Sequence, residues 1–188
     1  YYLEDGKELI QSGVDFIAHS VRDQKVDDIF ARGLLETETC LCPTLTREVS
    51  TFIYESEPAF FSDPFFLKEA SSSVLEQLKD PTRQKKVQES KAAQQYKKAL
   101  EIASENLKIL SGAGVSIAFG TDSGPPARFQ GYFEHMELDL MAEAGLTPEQ
   151  ILRSATGVAA ECLRLDDEIG TLRPNRWADF VVLTADPL

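Results

Sequence analysis

Bulky apolar and small residues alternate along residues 114–124, where the chain reads GVSIAFGTDSG. A period of two predicts a strand with one bulky face and one small face. A small face suits the crowded axis of a barrel, whereas a bulky face suits a cover of helices. Asp122 has the parity of the small face, so we predict that its side chain points inward at the carboxyl end of this strand. Ligands and catalytic groups collect at that end in parallel α/β folds.

The first half of the chain combines short apolar runs with helical patterns. The predicted elements are a helix at 4–12, a strand at 14–19, a helix at 26–31 and a strand at 38–46. Gly13 and Gly33 are predicted to end the two helices. Residues 47–80 show an irregular pattern rich in phenylalanine, which we expect to hold a long loop against the fold. The alternative, that these aromatic residues line a pocket, stays open.

Helical patterns dominate the second half. The clearest helix opens at Pro81 and carries a continuous apolar stripe. Thr147 and Gln150 form a reciprocal capping pair around Pro148. The predicted elements are helices at 81–110, 132–144 and 148–163, followed by strands at 170–172 and 177–184.

Strands that alternate with helices indicate an α/β fold with a parallel sheet and right-handed crossovers. Three strand–helix units cannot close a barrel of eight strands. The sequence therefore predicts either a small open sheet or the last part of a larger barrel. A length of 188 residues suits one domain, or one domain and a fraction.

Composition narrows the classes of function. A formal net charge of −12 argues against a nucleic-acid surface. No apolar run approaches the roughly 20 residues that cross a membrane, so we expect neither nucleic acid nor membrane as a partner. The three cysteines predict neither a disulfide framework nor a zinc knuckle, and Cys40 and Cys42 fit small core positions on one strand face. Because the chain starts at Tyr1 without methionine, the lack of a signal peptide says nothing about its compartment.

His19 and Asp122 are the candidate site residues. His19 ends the first predicted strand and Asp122 ends the third, so we expect both to lie at the same edge of a parallel sheet. Imidazole and carboxylate are the usual ligands of a hydrolytic metal, and a carboxylate beside the activated water can accept its proton. Each also has an ordinary interpretation, as a core or surface histidine and as an aspartate that caps a turn. Two ligands fall short of the three that hold a catalytic zinc.

Several short motifs carry a resemblance to a known family. They are GVDFIAHS around His19, PTL at 43–45, GTDS around Asp122, EAGLTPEQIL at 143–152, GTL at 170–172 and ADFVVL at 178–183. Together they resemble the amidohydrolase superfamily, in its imidazolonepropionase-like and Xaa-Pro dipeptidase-like branch. The resemblance implies a partial (β/α)8 TIM barrel, formed by its last three strands and their helices, plus a short C-terminal β segment of a sandwich domain. The implied boundary separates residues 1–165 from residues 166–188.

The resemblance also implies a function. His19 matches the histidine of the sixth barrel strand, a ligand of the second metal. Asp122 matches the aspartate of the eighth strand, which binds the first metal and handles the proton of the attacking water. The implied cofactor is Zn²⁺ or another divalent metal, as one or two ions. The implied reaction is hydrolysis of a C–N bond in a small-molecule or peptide substrate, with a homo-oligomer left open.

The match is incomplete, which leaves alternatives. In the family, a His-x-His pair, a carboxylated lysine and a further histidine would precede Tyr1, so we expect this chain alone to be inactive. His135 lies either near the site entrance, as in this branch, or on an ordinary exposed helix. One alternative function is a non-catalytic scaffold or binding domain that has lost the metal. The other is a serine hydrolase, because the sequence around Ser123 superficially resembles the nucleophile region of trypsin-like proteases, although no second candidate base accompanies it.

Overall fold

A computed structural model describes residues 1–188 as an α/β chain rich in helix. Its elements are α1 Leu3–Gln11, β1 Phe16–Ala18, α2 Asp28–Glu36, β2 Cys40–Cys42, α3 Leu45–Val49, α4 Pro64–Glu69, α5 Ser72–Lys79, α6 Pro81–Gln88, α7 Lys91–Gly112, α8 Tyr132–Glu143, α9 Pro148–Ser154 and α10 Gly157–Cys162. Two 3₁₀ turns, at Ile53–Glu55 and Ala59–Ser62, lie between α3 and α4. No helix combines the length and the apolar character that a membrane crossing needs.

The sheet is parallel and small. β1 and β2 pair along their length, and Leu41 of β2 also forms a parallel bridge with Ile117. The predicted strand at 114–124 is wrong in extent, because only Ile117 of that segment is bridged to the sheet. The backbone leaves the ladder at Phe119, whose N–H donates to the carbonyl oxygen of Ser154 at 3.0 Å instead.

Capping residues set several helix boundaries that periodicity alone missed. The helix predicted at 81–110 is two helices, because the Ser90 side chain accepts a hydrogen bond from the Ala93 N–H and starts α7. Likewise, the helix predicted at 148–163 divides into α9 and α10, with Thr156 in a non-helical conformation between them. Gly33 does not end α2, which continues to Glu36.

The main core lies between the sheet and the helices that cover it. Ile17 of β1 and Leu41 of β2 belong to one buried apolar cluster with Phe30 of α2, Leu107 of α7 and Met141 of α8. These five side chains are at most 2% exposed. Burial of each such large side chain stabilises a fold by about 1.5–3 kcal/mol, so this cluster fixes the three parallel segments against the helices.

Residues 47–80 form short helices and turns, so the prediction of an irregular segment is wrong. Phe61 and Phe66 join Tyr54 and Leu78 in a second buried cluster, to which Phe60, Phe129 and Tyr132 also belong. We call this set the aromatic cluster. The prediction that the phenylalanines hold the segment down is confirmed for these side chains, whereas Phe65 is 52% exposed.

Residues 163–188 contain no strand, so the strands predicted at 170–172 and 177–184 are wrong. Trp177, Phe180, Val181 and Val182 are each at least 66% exposed. A strand requires a run of backbone hydrogen bonds to a partner, and residues 177–184 make only one, from the N–H of Trp177 to the carbonyl oxygen of Glu168 at 2.9 Å. The division between residues 1–165 and 166–188 stays a prediction.

The cysteine prediction is confirmed in part, because Cys40 and Cys42 are both buried on β2, but the expectation that no disulfide forms is wrong. Cys40, at the start of β2, forms a disulfide with Cys162, at the end of α10, while Cys42 is free and buried. The two bonded residues are 122 positions apart in sequence, and their Cα atoms are 5.8 Å apart. This pairing depends on the return of α10 to the sheet, which sequence spacing does not reveal.

Candidate functional site

The carboxyl ends of the three parallel segments meet at one edge of the sheet, which we call the carboxyl edge. After β1, the N–H of His19 donates to the carbonyl oxygen of Cys42 at 2.8 Å. After β2, the Thr46 hydroxyl lies 3.2 Å from the carbonyl oxygen of Thr121. Thr121 immediately precedes Asp122, so His19 and Asp122 lie at the same edge of the sheet.

Three residues at the carboxyl edge have left-handed backbone conformations. The φ angles are +75° at His19, +50° at Thr44 and +57° at Asp122. This region is unfavourable for residues other than glycine, above all for a β-branched residue such as threonine. Such strain persists only where the surroundings fix it, and it concentrates at functional sites. Here each of the three parallel segments is followed by one strained residue, and two of these are the predicted site residues.

Thr44 holds the imidazole of His19. The Nδ1 atom of His19 lies 2.7 Å from the hydroxyl oxygen of Thr44. When Nδ1–H donates to that oxygen, the lone pair of Nε2 is available to a ligand. Burial lowers the pKa of His19, and the positive charge of Arg47 lowers it further. Both effects favour the neutral imidazole, which is the form that binds a metal.

The side chain of Asp122 is more exposed to solvent than the predicted inward orientation implies. Its side chain is 40% exposed, and its Oδ2 atom accepts a hydrogen bond from Nη1 of Arg128 at 2.5 Å. Nη1 also donates to the backbone carbonyl oxygen of Asp122 at 3.1 Å. The Oδ1 atom has no partner within the chain, so one carboxylate oxygen is held and the other is available.

Two carboxylates of α8, those of Glu134 and Glu137, accept hydrogen bonds from residues at the carboxyl edge. Glu134 accepts hydrogen bonds from the hydroxyls of Thr121, at 2.8 Å, and of Ser123, the two neighbours of Asp122. Although burial opposes it, these hydrogen bonds lower the pKa of Glu134. The strained turn at Asp122 is therefore anchored on both sides by an ionised carboxylate.

Glu137, one helical turn further along α8, binds the other strand end. Its Oε1 atom accepts a hydrogen bond from the backbone N–H of Leu45, and its Oε2 atom accepts from both the backbone N–H and the hydroxyl of Thr46, each at 2.7 Å. Burial raises the pKa of Glu137 to about 7 despite these hydrogen bonds, and the nearby charge of Glu48 adds to the rise. Glu137 thus fixes the start of α3, directly after the residue that holds His19.

The available donors suit a divalent metal in kind but not in number. An imidazole Nε2 and a carboxylate Oδ1 are ordinary ligands of zinc, and Thr44 orients the imidazole as a supporting residue would. However, no group of three or more His, Cys, Asp and Glu side chains in this chain is arranged to hold an ion. The predicted pair falls one short of the three protein ligands that a catalytic zinc needs, and the role of His19 and Asp122 as metal ligands stays a prediction.

Ser123 and His135, the other candidate residues, make their contacts with side chains other than those of His19 and Asp122. The hydroxyl of Ser123 donates to Glu134, and the Nδ1 atom of His19 is occupied by Thr44, so no serine–histidine pair forms. His135 lies on the exposed face of α8, with its ring 5.2 Å from that of Phe65. Sequence reasoning gave no role to Thr44 or Arg128. Thr44 belongs to the PTL motif at 43–45 and Arg128 to no motif, but the role of each becomes visible only through its contacts.

Comparison with known sequences identifies relatives of part of the chain. The sequence profile of the amidohydrolase family matches residues 66–188. An imidazolonepropionase of Cutibacterium acnes is 40% identical over 73 residues, which are 39% of this chain and 18% of that protein. An imidazolonepropionase of Streptomyces avermitilis is 35% identical over 80 residues, 43% of this chain and 19% of that protein.

Comparison with solved structures extends over the whole chain. A Xaa-Pro dipeptidase with methionine in its active site superposes with a TM-score of 0.69 at 22% identity, over 98% of this chain and 37% of that one. A prolidase in complex with N-methylphosphonate-L-proline gives a TM-score of 0.69 at 25% identity, over 100% of this chain and 37% of that one. The shared fold is clear at these scores, and the chain spans less than two fifths of each of these structures.

Proposed function

Since this chain belongs to the amidohydrolase family, we propose that it acts in the hydrolysis of a C–N bond by metal-activated water. In this proposal, residues 1–165 provide the last three strands and helices of a (β/α)8 barrel, and residues 166–188 return to a small β-sandwich. The observation that carries the proposal is the convergence of His19 and Asp122 at the carboxyl edge. In a barrel of this class that edge carries the active site.

The chain's own residues have distinct roles in this reaction. A divalent metal, when bound, lowers the pKa of water and polarises the substrate carbonyl. His19 contributes a neutral imidazole through Nε2, held in orientation by Thr44. Asp122 would bind the metal through Oδ1, and its carboxylate would accept the proton of the attacking water and pass it to the leaving nitrogen. In this structure Oδ2 accepts a hydrogen bond from Arg128.

Two classes of substrate follow from the names of the similar proteins. The imidazolonepropionases suggest a cyclic amide, and the Xaa-Pro dipeptidase suggests a dipeptide that ends in proline. Both classes contain a C–N bond next to a carbonyl. The proposal covers both, and a substrate panel distinguishes them.

The test is an assay of the intact protein, loaded with Zn²⁺, on imidazolone propionate and on a set of Xaa-Pro dipeptides. Asp122→Asn should lower kcat/KM by about 10²–10⁴-fold, the range of general acid–base catalysis. Asp167→Asn, which makes the same change on an exposed turn, should leave kcat/KM within about twofold. Equal activity of the Asp122 variant and the wild type would refute the proposed role.

A non-catalytic domain with an amidohydrolase fold is the alternative, because this chain supplies only two metal donors. Metal analysis of the intact protein separates the two: one or two divalent ions per chain support the hydrolase, and a metal-free protein supports the scaffold. Ser123→Ala addresses the serine hydrolase. Because the hydrogen bond from Thr121 to Glu134 still anchors the Asp122 turn when the Ser123 hydroxyl is lost, this variant should retain most of the activity.

A further inference from the structure

Arg22 and Arg47, which we call the arginine pair, flank one buried carboxylate beside the carboxyl edge. The side chain of Glu48 is fully buried, and its Oε1 atom lies 3.1 Å from an Nη1 atom of each arginine. Both guanidinium groups also lie over Tyr96, each with its Cζ atom 5.5 Å from the centre of the ring. Because two positive charges share one negative charge, this cluster has a surplus of one positive charge.

The backbone that carries Arg22 is fixed by a buried amide. Arg22 lies in the loop that follows β1, shortly after His19. The side chain of Asn106, a residue of α7 that is only 1% exposed, donates to the carbonyl oxygens of Val21 and Gln24 at 3.0 and 2.9 Å. These two residues bracket Arg22, so the chain itself sets the position of the guanidinium group.

Arg47 is held near the predicted site residues by α3. The carboxylate of Glu137 accepts hydrogen bonds from the first two N–H groups of this helix. Burial is the main cause of the lowered pKa of His19, and the positive charges of Arg47 and Arg22 lower it further. The negative charge of Asp122 opposes this effect. The electrostatic field of the arginine pair therefore reaches the carboxyl edge.

Most hydrogen-bond donors of the arginine pair are unused within the chain. A guanidinium group has five N–H donors. Arg47 donates only through Nη1, to Glu48 and to the hydroxyl of Tyr96. The side chain of Arg22 has only its ion pair with Glu48. No buried side-chain nitrogen in this chain lacks a partner, so the unused donors reach solvent. A planar fork of such donors matches the two oxygens of a carboxylate.

We infer that the arginine pair is a carboxylate-binding site, which takes a carboxylate of the small molecule that binds at the carboxyl edge. The inference rests on the proposed function in one respect, since there the small molecule is the substrate of C–N hydrolysis. Both substrate classes of that proposal carry a carboxylate. One carboxylate neutralises the surplus charge of the cluster, whereas a phosphate dianion would exceed it, and the net charge of −12 also opposes multiply charged anions.

A purely structural role of the arginine pair is the alternative. Arg47 alone donates to both oxygens of Glu48, so the buried carboxylate keeps its hydrogen bonds without Arg22. A structural role predicts that loss of Arg22 affects charged and uncharged ligands equally. Carboxylate binding predicts that only the charged ligand is affected.

The experiment is a calorimetric titration of the intact protein, treated with a chelator so that no metal binds the carboxylate. One pair of probes is N-acetyl-L-proline and its primary amide, and the other is 3-(imidazol-4-yl)propionate and its primary amide. The wild type should bind the carboxylate of at least one pair more tightly than the amide by about tenfold or more, because hydrogen bonds to charged groups add this much affinity. Equal affinities within both pairs, or no binding of any probe, would overturn the inference.

The first variant is Arg22→Ala, which removes the surplus charge. It should weaken carboxylate binding by about tenfold or more and leave amide binding within about twofold. Arg32→Ala, which removes the same charge from the exposed face of α2, should bind every probe within about twofold of the wild type. An equal loss for carboxylate and amide in Arg22→Ala would assign the arginine pair a structural role.

Glu48→Gln tests the inference with the opposite sign. This variant keeps the shape of the side chain and both arginines, but it removes the negative charge that competes with the ligand. Carboxylate binding should therefore become severalfold tighter, with amide binding unchanged. Weaker carboxylate binding in this variant would count against the site, and the test remains decisive when Arg22→Ala does not fold.

Hydrolysis assays separate a failure of this inference from a failure of the proposed function. A Zn²⁺-loaded protein that hydrolyses a C–N substrate, but binds carboxylate and amide equally, overturns the inference alone. A carboxylate preference that depends on Arg22, in a protein that hydrolyses no such substrate, overturns the proposed function alone. The chain would then be a carboxylate-binding domain.

Discussion

The carboxyl edge of the small sheet and the opposite edge, at the amino ends of the strands, are held by different kinds of interaction. At the amino edge, the disulfide between Cys40 and Cys162 ties β2 to α10. At the carboxyl edge, the chain holds three residues in left-handed conformations and keeps two donor atoms free. Barrel enzymes place stability at one end and chemistry at the other. In this chain the disulfide lies at one end of the three short parallel segments, and the predicted site residues lie at the other.

The carboxyl edge is stabilised without covalent bonds. Glu134 and Glu137, one turn apart on α8, receive the hydrogen bonds of the loops that follow the Ile117 segment and β2. A hydrogen-bonded support can adjust when a ligand binds, whereas a disulfide cannot. The comparison predicts that changes at the amino edge alter stability alone, and that changes at the carboxyl edge alter binding as well.

The largest effect is expected from the disulfide. Replacement of both Cys40 and Cys162 by serine should lower the free energy of unfolding by about 4–5 kcal/mol, because a loop of more than 100 residues is no longer closed in the unfolded chain. Chemical denaturation of the oxidised protein and of this double variant measures the difference. Zn²⁺ affinity should stay the same, and a large loss of affinity would contradict the division between the edges.

Thiol counting provides the control for this prediction. Burial raises the pKa of Cys42 to about 12, so its thiolate is scarce at neutral pH and it should react only after unfolding. The unfolded oxidised protein should show one thiol, and the reduced protein should show all three cysteines. Three thiols without reductant would contradict the disulfide.

The next largest effect is the pH dependence of the free energy of unfolding that Glu137 causes. Its pKa is about 7 in the folded protein against an ordinary value of 4.5. Between these values the folded state keeps a proton that the unfolded state has lost, so stability falls as pH rises from about 4.5 to about 7. The change is on the order of 3 kcal/mol. Glu137→Gln cannot titrate, so unfolding curves at pH 5 and pH 8 should converge for that variant and differ for the wild type.

A parallel pH dependence in the wild type and in Glu137→Gln would assign the effect to other groups. Glu137 has two titratable neighbours. The charge of Glu48 raises the pKa of Glu137, and the charge of Glu137 raises the pKa of Cys42. Glu48→Gln is therefore the matched control. It should retain most of the slope, since Glu48 is only a secondary cause of the raised pKa.

A smaller effect is expected at Thr44, which holds the imidazole of His19. Thr44→Ala should weaken Zn²⁺ binding by about tenfold, the lower end of the range for a supporting residue. Thr44→Ser keeps the hydroxyl and should bind nearly as the wild type does. Equal affinities of the alanine and serine variants in calorimetry would show that the hydroxyl does not orient His19.

The smallest effect is expected from the ion pair between Asp15 and Arg164, which also lies at the amino edge. Their side chains are 73% and 79% exposed, and ion pairs this exposed contribute little to stability. Asp15→Asn should leave the thermal midpoint unchanged within error. A clear drop would mean that the amino edge depends on more than its disulfide.

Much of this architecture follows from residue patterns. The alternation of bulky and small residues placed Ile117 beside the sheet, and Gly120 is small for a physical reason: a Cβ there would lie 2.6 Å from the sulfur of Cys42. The capping pair at Thr147 and Gln150 started α9 at Pro148. Local rules of this kind depend on neighbouring residues, which a sequence displays directly.

The remaining features depend on distant contacts. The partners of Asp122, Ala127 and Cys40 are Arg128, Tyr54 and Cys162, and only the first lies nearby in sequence. The terminal apolar run fits the period of a strand, yet a strand forms only beside a partner, which this chain does not provide. Sequence could therefore propose His19 and Asp122, but not the side chains that hold them.

The most direct test of the central claim is an anomalous diffraction map of the intact protein crystallised with Zn²⁺. The account predicts one or two zinc peaks, with a zinc ion about 2.0–2.2 Å from Nε2 of His19 and a zinc ion at the same distance from an oxygen of Asp122, the usual zinc distances. A map in which either side chain has no zinc ion within that distance would contradict the claim that both residues are metal ligands.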